Sequence, residues 1–445
     1  MRVSNRWAMV VMILLCSLAT AQATAASAGQ ALAIVAEFTA CLQQGRFEEA
    51  HAAFEPEVQK LLPGEQLAAV WVSLPAQLGE LLAVEDPYVV DETQLVIRQP
   101  AVFTSGAIDL LFRLNREMLI VEFLLVPHVE KEALLGMSDG PPYADQTLFT
   151  ETELVFGVPE YPLEGTLTVP HGEGPFPAVV LVHGSGPNDR DETIGPNKPF
   201  RDLAWGLASR GIAVFRYDKR TLVHGQKMSL PEITVENEVI TDAVLALELV
   251  AAQEEVDADR LFVLGHSLGG SLLGPIVQKA PTLAGGISMA GAARPVHDLM
   301  LEQVIYLAGL EGEPSAQSQA QIEAVRADVE RIRRDAIPEG TVVLGGTAAY
   351  WRFFRDFAPA KKAADLDLPL LFLQGGRDYQ VTETDWRIWR QELSDRRLVE
   401  FRYYDDLNHL FQTGEGPSHP GEYSQLGHVD VGVVEDIAAW IKQAI

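Results

Sequence analysis

The chain has 445 residues, 47% of them hydrophobic and 22% charged, with a formal charge of −28 from 62 acidic and 34 basic residues. This length argues for two or three domains. The composition excludes a disordered chain, a collagen-like fibre and a polytopic membrane protein. So acidic a surface repels nucleic acid and anionic lipid, and neither is an expected partner.

Arg2 and Arg6 precede an apolar run from Trp7 to Ala19. Small residues follow, with Ala23-Thr24-Ala25 and Ala26-Ser27-Ala28 as cleavage candidates. Residues 1–28 therefore read as a secretory signal peptide, and the mature protein is expected in the periplasm or outside the cell. The alternative is an uncleaved anchor, but the run is short for a span of roughly 20 residues. Leu15 before Cys16 is not the small residue a lipobox needs, which argues against lipidation. No stable membrane span is expected after processing. Cleavage would leave Cys41 alone, so no intrachain disulfide is expected. Cys41 shares helical spacing with Phe38 and Leu42 and reads as a small core residue, not a nucleophile.

Residues 29–135 read as a small α+β domain. Helical spacing runs from Gln30 to about Leu82, through Ala33, Val35, Phe38, Leu42 and then Phe47, Ala50, Phe54, with breaks at Gly45 and Pro63-Gly64. Strand-like runs follow from Tyr88 to Pro127. His51 and His128 stand alone and read as structural or solvent-facing. Residues 136–149, rich in Gly, Pro and Asp, read as a linker.

Residues 150–445 alternate strand and helix. Strands are expected at Ala178–Val182, Ile212–Arg216, Arg260–Leu264, Ala284–Met289, Pro369–Leu373 and Leu398–Tyr403. Helices are expected between several of them, including Phe200–Ser209 and Glu236–Gln253. Nearly continuous apolar strands separated by helices imply a mostly parallel sheet with helices on both faces. Functional groups then belong at the carboxyl ends of the strands.

One such end carries Gly265-His266-Ser267-Leu268-Gly269, after the strand Leu261–Leu264 and before a helix start at Gly270-Ser271. G-x-S-x-G alone is unspecific. Between strand and helix, its glycines permit a sharp turn that lifts the Ser267 hydroxyl clear of the sheet. A serine hydroxyl is a poor nucleophile near neutral pH and needs a histidine base oriented by a carboxylate. On this architecture the chain order is serine, acid, histidine. Asp378 follows the strand Leu370–Leu373 in the Gly-rich loop Gln374-Gly375-Gly376-Arg377-Asp378. His409 lies in the loop after the next strand. Asp385 and Glu383 are fallback acids in a helical stretch, and His419 and His428 are fallback bases. His183 and His266 read as positional.

Acyl transfer also needs donors for a tetrahedral oxyanion. The expected donors are the backbone amides of Leu268 and of Ser185, in the loop His183-Gly184-Ser185-Gly186-Pro187, with Gly186 as the alternative to Ser185. No phosphate-loop, dinucleotide or metal-ligand motif is present, so no cofactor and no metal are expected.

The stretch from His183 to Glu192, with Gly195-Pro196-Asn197-Lys198-Pro199-Phe200 and Arg216-Tyr217-Asp218-Lys219-Arg220, resembles bacterial α/β-hydrolase serine esterases of the dienelactone-hydrolase-like group. Asp378-Tyr379-Gln380-Val381, Leu407-Asn408-His409-Leu410-Phe411 and Gly427-His428-Val429 agree with it. The leading domain resembles the small domain of unknown function that precedes many such hydrolases. The resemblance implies an α/β-hydrolase fold, a Ser267, Asp378, His409 triad and hydrolysis of a small-molecule carboxylic ester. One departure is that dienelactone hydrolases use a cysteine where this chain has Ser267, so dienelactone itself is not the expected substrate.

An insertion at about 295–359 has helical spacing at Leu299, Val304, Ile305, Leu307 and at Ile322, Val325, Val329, Ile332, and reads as a helical cap. Its aromatic cluster of Tyr350, Trp351, Phe353, Phe354 and Phe357 reads as cap core, with a pocket lining as the alternative. The charges in Asp189-Arg190-Asp191-Glu192 and Lys219-Arg220 read as an ion-pair network bracing loops; Lys219 or Arg220 is the candidate for any acidic substrate group. A serine peptidase or acyltransferase on the same scaffold, or a non-catalytic binding protein, remain alternatives. The residues before the hydrolase are too few for a β-propeller at about 40 per blade.

Overall fold

The computed structural model describes residues 25–91, 95–131, 134, 140–225, 227–229, 232–280, 282–310 and 312–444. Nearly all of the expected signal segment lies outside the described residues; the first described helix begins at Ala25. The chain divides into two compact units, Met1–Gly136 and Met137–Ile445. No helix among the described residues is long and apolar enough to cross a membrane.

The first unit packs helices onto an antiparallel sheet. Helices Ala25–Gln43, Phe47–His51, Pro56–Leu61 and Gly64–Leu78 precede strands β1 (Leu81–Val84), β2 (Tyr88–Asp91), β3 (Val96–Phe103), β4 (Gly106–Leu114) and β5 (Ile120–Pro127). The sheet order is β1-β3-β4-β5, with β2 also paired to β3. The buried stripe of the first helix is Ala31, Val35, Phe38 and Leu42; Ala33, one position out of that phase, faces outward. Phe38 meets Phe54, Phe112 and Phe123 edge-on at 5.3, 5.4 and 5.3 Å. Cys41 is buried in this core, and burial pushes its thiol above the usual range. The helical pattern ends earlier than the spacing predicts. Gly79 adopts φ +82°, stops the helix at Leu78 and turns Leu81 into strand. His128 hydrogen-bonds the fully buried Asp109 at 2.7 Å, and that bond raises it above the ordinary imidazole value.

The second unit holds an eight-stranded sheet. Its strands are β6 (Phe149–Val158), β7 (Tyr161–Pro170), β8 (Phe176–Val182), β9 (Ala213–Tyr217), β10 (Val256–His266), β11 (Gly285–Met289), β14 (Leu370–Gly375) and β15 (Val399–Tyr404). A small β12–β13 hairpin (Val342–Val343, Gly346–Thr347) lies in the insertion between β11 and β14. The sheet order is β15-β14-β11-β10-β8-β9-β7-β6. All pairings from β9 to β15 are parallel, and the β6–β7 and β7–β9 pairings are antiparallel. All six expected strands are present.

The β6–β7 pair was not among the expected strands. On β6 the residues from Thr150 to Glu153 are exposed, which gives no apolar run to detect. Nor is the Gly/Pro-rich stretch before it a free linker from residue 140 onward. The Tyr143 hydroxyl donates to the Val429 carbonyl at 2.7 Å, and the Asp145 amide donates to Ser209 Oγ at 2.9 Å. The expected helix at Glu236–Gln253 starts as a π turn over Glu236–Ile240 and becomes α-helical at Thr241–Ala251.

Side chains alternate across the parallel strands and serve two cores. Val179, Leu181, Phe262, Leu264, Leu371 and Leu373 pack with helices Pro199–Ala208 and Val431–Gln443. Ala178, Val180, Val182, Leu261, Val263, Leu370 and Phe372 pack with helix Thr241–Ala251 and with the insertion. Burying each large aliphatic or aromatic side chain contributes about 1.5–3 kcal/mol. The chain leaves β8 for β9 on one side and then crosses to β10 on the other. The carboxyl ends of β8 and β10 therefore flank a topological switch point.

The insertion contains helices Val296–Gly309, Ala316–Arg333 and Ala348–Arg355. Its aromatic cluster is core: Trp351, Phe354 and Phe357 are buried, and the Trp351 indole donates to the Val343 carbonyl at 2.7 Å. Its first helix lies on the loop after β14. The Gln303 amide donates to the Gln380 carbonyl at 2.9 Å, and the Tyr306 ring stacks on Tyr379 at 5.1 Å.

Candidate active site

Ser267 sits at the sharp turn between β10 and the short helix Leu268–Ser271. Its backbone has φ +50° and ψ −112°, a conformation that costs a non-glycine residue about 1–3 kcal/mol. Hydrogen bonds hold the turn: the Ser267 amide donates to the Met289 carbonyl at 2.9 Å, and the Gly269 amide to the His183 carbonyl at 3.1 Å. The flanking glycines are steric requirements. A Cβ on Gly265 would lie 2.2 Å from the Gly269 carbonyl carbon, and one on Gly269 would lie 2.3 Å from the Val182 carbonyl oxygen. Ser267 itself is only partly buried.

The loop after β8 meets this turn. A Cβ on Gly184 would lie 3.2 Å from the Ser267 Cβ and 3.7 Å from its Oγ. Both peptide groups of Gly184 are held: its amide donates to Glu192 Oε1 at 2.6 Å, and its carbonyl accepts from Lys219 Nζ at 2.8 Å. A trans peptide points its C=O and N–H in opposite directions. The Ser185 amide is therefore aimed away from Lys219. The Leu268 amide opens a helix, where N–H groups have no intrahelical acceptor.

Asp378 and His409 come together. His409 Nδ1 lies 2.7 Å from Asp378 Oδ2, and both residues are buried. Asp378 Oδ1 accepts the amides of Gln380 at 2.8 Å and Val381 at 3.0 Å, while Oδ2 also accepts from Gln374 at 3.3 Å. Such a set of donors suits an ionised, acceptor-only carboxylate. Gly375 and Gly376 allow the contact: a Cβ on either would lie 2.5 or 2.6 Å from the carbonyl oxygens of Leu407 and Asp405. The Asn408 side chain shapes the histidine loop by accepting the amides of Leu410 and Gln412. His409 also stands against the serine turn, its ring centroid 4.8 Å from that of His266, the residue before Ser267.

The fallback residues lie elsewhere. Asp385 is fully buried and paired with Arg294 at 2.6 Å, while Glu383 pairs with Arg387 on an exposed helix face. His428 is 3.1 Å from Asp202, and His419 Nδ1 is a buried nitrogen without a partner. His183 bonds the Asp189 carbonyl through Nε2 at 3.0 Å. Burial, outweighing Glu192, lowers its ring to about 4, so it is neutral near pH 7. Among the described residues no group of three or more His, Cys, Asp or Glu side chains converges as a metal site requires.

The charged loops form an ion-pair network. Arg190 joins Asp218 at 2.6 Å, Arg216 joins Asp191 and Glu151 at 2.9 Å each, and Lys198 joins Asp191 at 2.8 Å. Lys219 pairs with Glu238 at 2.7 Å and Arg220 with Asp242. Lys219 and Arg220 are both buried in these pairs, so neither is presented to an acidic substrate group. Burial alone would raise the Asp191 carboxyl, but Arg216 and Lys198 outweigh it and hold it at about 2. A depressed carboxyl stabilises the fold above its unfolded value of 3.8, and the benefit is lost as pH falls from there toward 2. Asp191→Asn should therefore lower unfolding stability by roughly 2 kcal/mol at pH 7. The gap should close toward pH 2.5, as checked by denaturant melts at both pH values.

One pair at the site is not foreshadowed by any residue spacing: buried Glu192 lies 2.8 Å from His266 Nδ1. The available signal was a carboxylate and a histidine inside two motifs already singled out, but 74 residues apart in the chain.

Both compact units of the chain match known protein families. Residues 175–415 match the family described as serine aminopeptidase, S33. Residues 35–123 match one described as a protein of unknown function (DUF3887). Esterase EstD of Thermotoga maritima is 40% identical over 406 residues, 91% of this chain and 93% of the relative. Among solved structures, a 2,6-dihydroxy-pseudo-oxynicotine hydrolase aligns with a TM-score of 0.42 at 19% identity, covering 66% of this chain and 68% of its own. A Pyrobaculum calidifontis esterase aligns with a TM-score of 0.45 at 16% identity, covering 70% of this chain and 90% of its own. The chain belongs to the serine aminopeptidase S33 family of α/β-hydrolases and is a hydrolytic enzyme. This agrees with the esterase resemblance carried by residues 183–192 and with the leading domain's resemblance to a domain of unknown function.

Proposed function

We propose that the protein is a serine carboxylic ester hydrolase that works through an acyl-enzyme. The observation that carries this reading is the 2.7 Å Asp378–His409 pair, set beside the strained turn that bears Ser267. The 40% identity to an esterase along nearly the whole chain supports the ester as substrate class.

Asp378 accepts the Nδ1 proton of His409, which leaves Nε2 with a lone pair. His409 takes the Ser267 proton as Oγ attacks the ester carbonyl. The amides of Ser185 and Leu268 donate to the oxyanion that forms. His409 then protonates the leaving alcohol, and water, activated by the same nitrogen, hydrolyses the acyl-enzyme. The family's aminopeptidase description favours a second reading, in which a peptide amine is the leaving group.

The deciding experiment is a p-nitrophenyl ester series from acetate to palmitate, run beside a panel of peptide amides. A fluorophosphonate label should map to Ser267. Ester turnover with little amide cleavage is the expected result; efficient amide cleavage without ester turnover would establish the peptidase reading instead. We also propose export, on Arg2, Arg6 and the apolar run after them. N-terminal sequencing of the expressed protein should find the chain starting near residue 26 or 29, after Ala25 or Ala28.

A further inference from the structure

Glu192 is a buried carboxylate that touches two parts of the site at once. Oε1 accepts the Gly184 amide at 2.6 Å, and Oε2 lies 2.8 Å from His266 Nδ1. The other His266 nitrogen, Nε2, lies 3.0 Å from the His409 carbonyl oxygen. A continuous chain thus runs from the loop after β8, through Glu192 and His266, to the backbone of His409. Glu192 adopts φ +52°, so the loop turns sharply to bring its carboxylate inward.

Both His266 nitrogens face oxygen acceptors. A carbonyl oxygen has no proton to give, so Nε2 must carry one. A second proton then lies between Nδ1 and the carboxylate. Burial alone would lower His266 and raise Glu192. Each is the other's main opposing charge, and the outcome is a raised histidine and a lowered carboxylate. The other charged or titratable groups around the pair are the His409 ring, 4.8 Å from that of His266, the His183 ring, Lys219 on the Gly184 carbonyl and Asp378 behind His409.

Asp378 fixes one atom of the His409 ring but not the backbone that carries it. That backbone is held by Asn408 on one side and, at its own carbonyl, by His266. Gly184, at the other end of the chain, abuts Ser267 and precedes the Ser185 amide. We propose that Glu192 and His266 are positioning residues: a buried ion pair that holds the His409 loop and the Ser185 loop in register with Ser267. The hydrogen bonds that leave the pair go to backbone atoms of Gly184 and His409, not to the Ser267 hydroxyl or the His409 ring nitrogens. The inference rests on the triad reading above.

Glu192→Gln tests it. Glutamine keeps the shape and still accepts the Gly184 amide, but it carries no charge. A displacement near 1 Å at a reacting group costs on the order of 100-fold. The variant should therefore lose about that factor in kcat, with KM changed by less than about threefold, because the substrate contacts remain. Far-UV circular dichroism should match that of the wild type. A spectroscopic readout is independent of turnover. In protein labelled with 15N at histidine, the Ser267→Ala variant should show a low-field Nδ1 proton from His266 at pH 7, and adding Glu192→Gln should abolish it. Wild-type kcat in Glu192→Gln, beside an inactive Ser267→Ala, would overturn this proposal and leave the triad standing. So would a His266 ring that shows a single protonated nitrogen from pH 5 to 9. Full activity in Ser267→Ala would overturn the triad reading itself.

Discussion

Ser267→Ala should abolish turnover, lowering kcat by at least about 10⁴-fold while leaving the fold intact. The substitution removes one oxygen from a partly buried side chain, so unfolding stability should move by less than about 0.5 kcal/mol in either direction. Relief of strain is not part of the change, because alanine meets the same φ of +50° as serine. Asp378→Asn should cost a similar factor by a different route. An amide at this position presents an N–H toward His409 Nδ1, or leaves that nitrogen with a weaker acceptor, and the ring no longer holds the tautomer with Nε2 free. One carboxylate and two histidines serve as controls. Asp385→Asn disrupts a buried pair with Arg294 and should lower stability, with little effect on kcat in the protein that stays folded. His428→Gln, at the Asp202 pair, should leave kcat within about threefold, as should His419→Gln. Measured kcat and KM on one short-chain ester, with denaturant melts for each variant, separate the two groups. If Asp385→Asn matched Asp378→Asn in kcat, the assignment of the acid would be wrong.

The legible parts of this molecule were those where a local pattern carries its own physics. The apolar strands β8, β11 and β14, and β10 from Leu261 onward, are buried on both faces, so they stand out as hydrophobic runs. The elbow glycines stand out because only glycine fits at 265 and 269. The approach of Asp378 to His409 is legible from the order of elements, since each follows one of two adjacent parallel strands whose carboxyl ends lie at the same edge of the sheet. The β6–β7 hairpin was less legible because its outer strand is largely exposed. The same holds for residues 140–148, where a Gly/Pro composition hides the anchoring hydrogen bond of Tyr143. Glu192 and His266 show a third limit. Their relation depends on a loop folding back under a turn 74 residues away, and no spacing rule reaches that far.

Gly269→Ala should cost more than about 4 kcal/mol, enough to exhaust much of a typical domain's 5–15 kcal/mol. The added Cβ would lie 2.3 Å from the Val182 carbonyl oxygen and 2.8 Å from that of His183, both backbone atoms at the end of β8. A flexible side chain could swing aside, but these atoms cannot move without breaking the β8–β10 ladder, where Val182 pairs with Gly265. Nor can the turn retreat, because the Gly269 amide donates to the His183 carbonyl. The structure must therefore either lose that ladder end or open the turn, and either change carries Ser267 and the Leu268 amide with it. Gly186→Ala is the matched control. Nothing lies within 4 Å of a Cβ there, and only the positive φ of +92° opposes the substitution. Its cost should stay near 1–2 kcal/mol. Thermal and denaturant melts of both variants, with kcat measured on the fraction that remains folded, test the comparison. A Gly269→Ala protein as stable and active as Gly186→Ala would mean that the close approach of the turn to β8 is not what shapes this site.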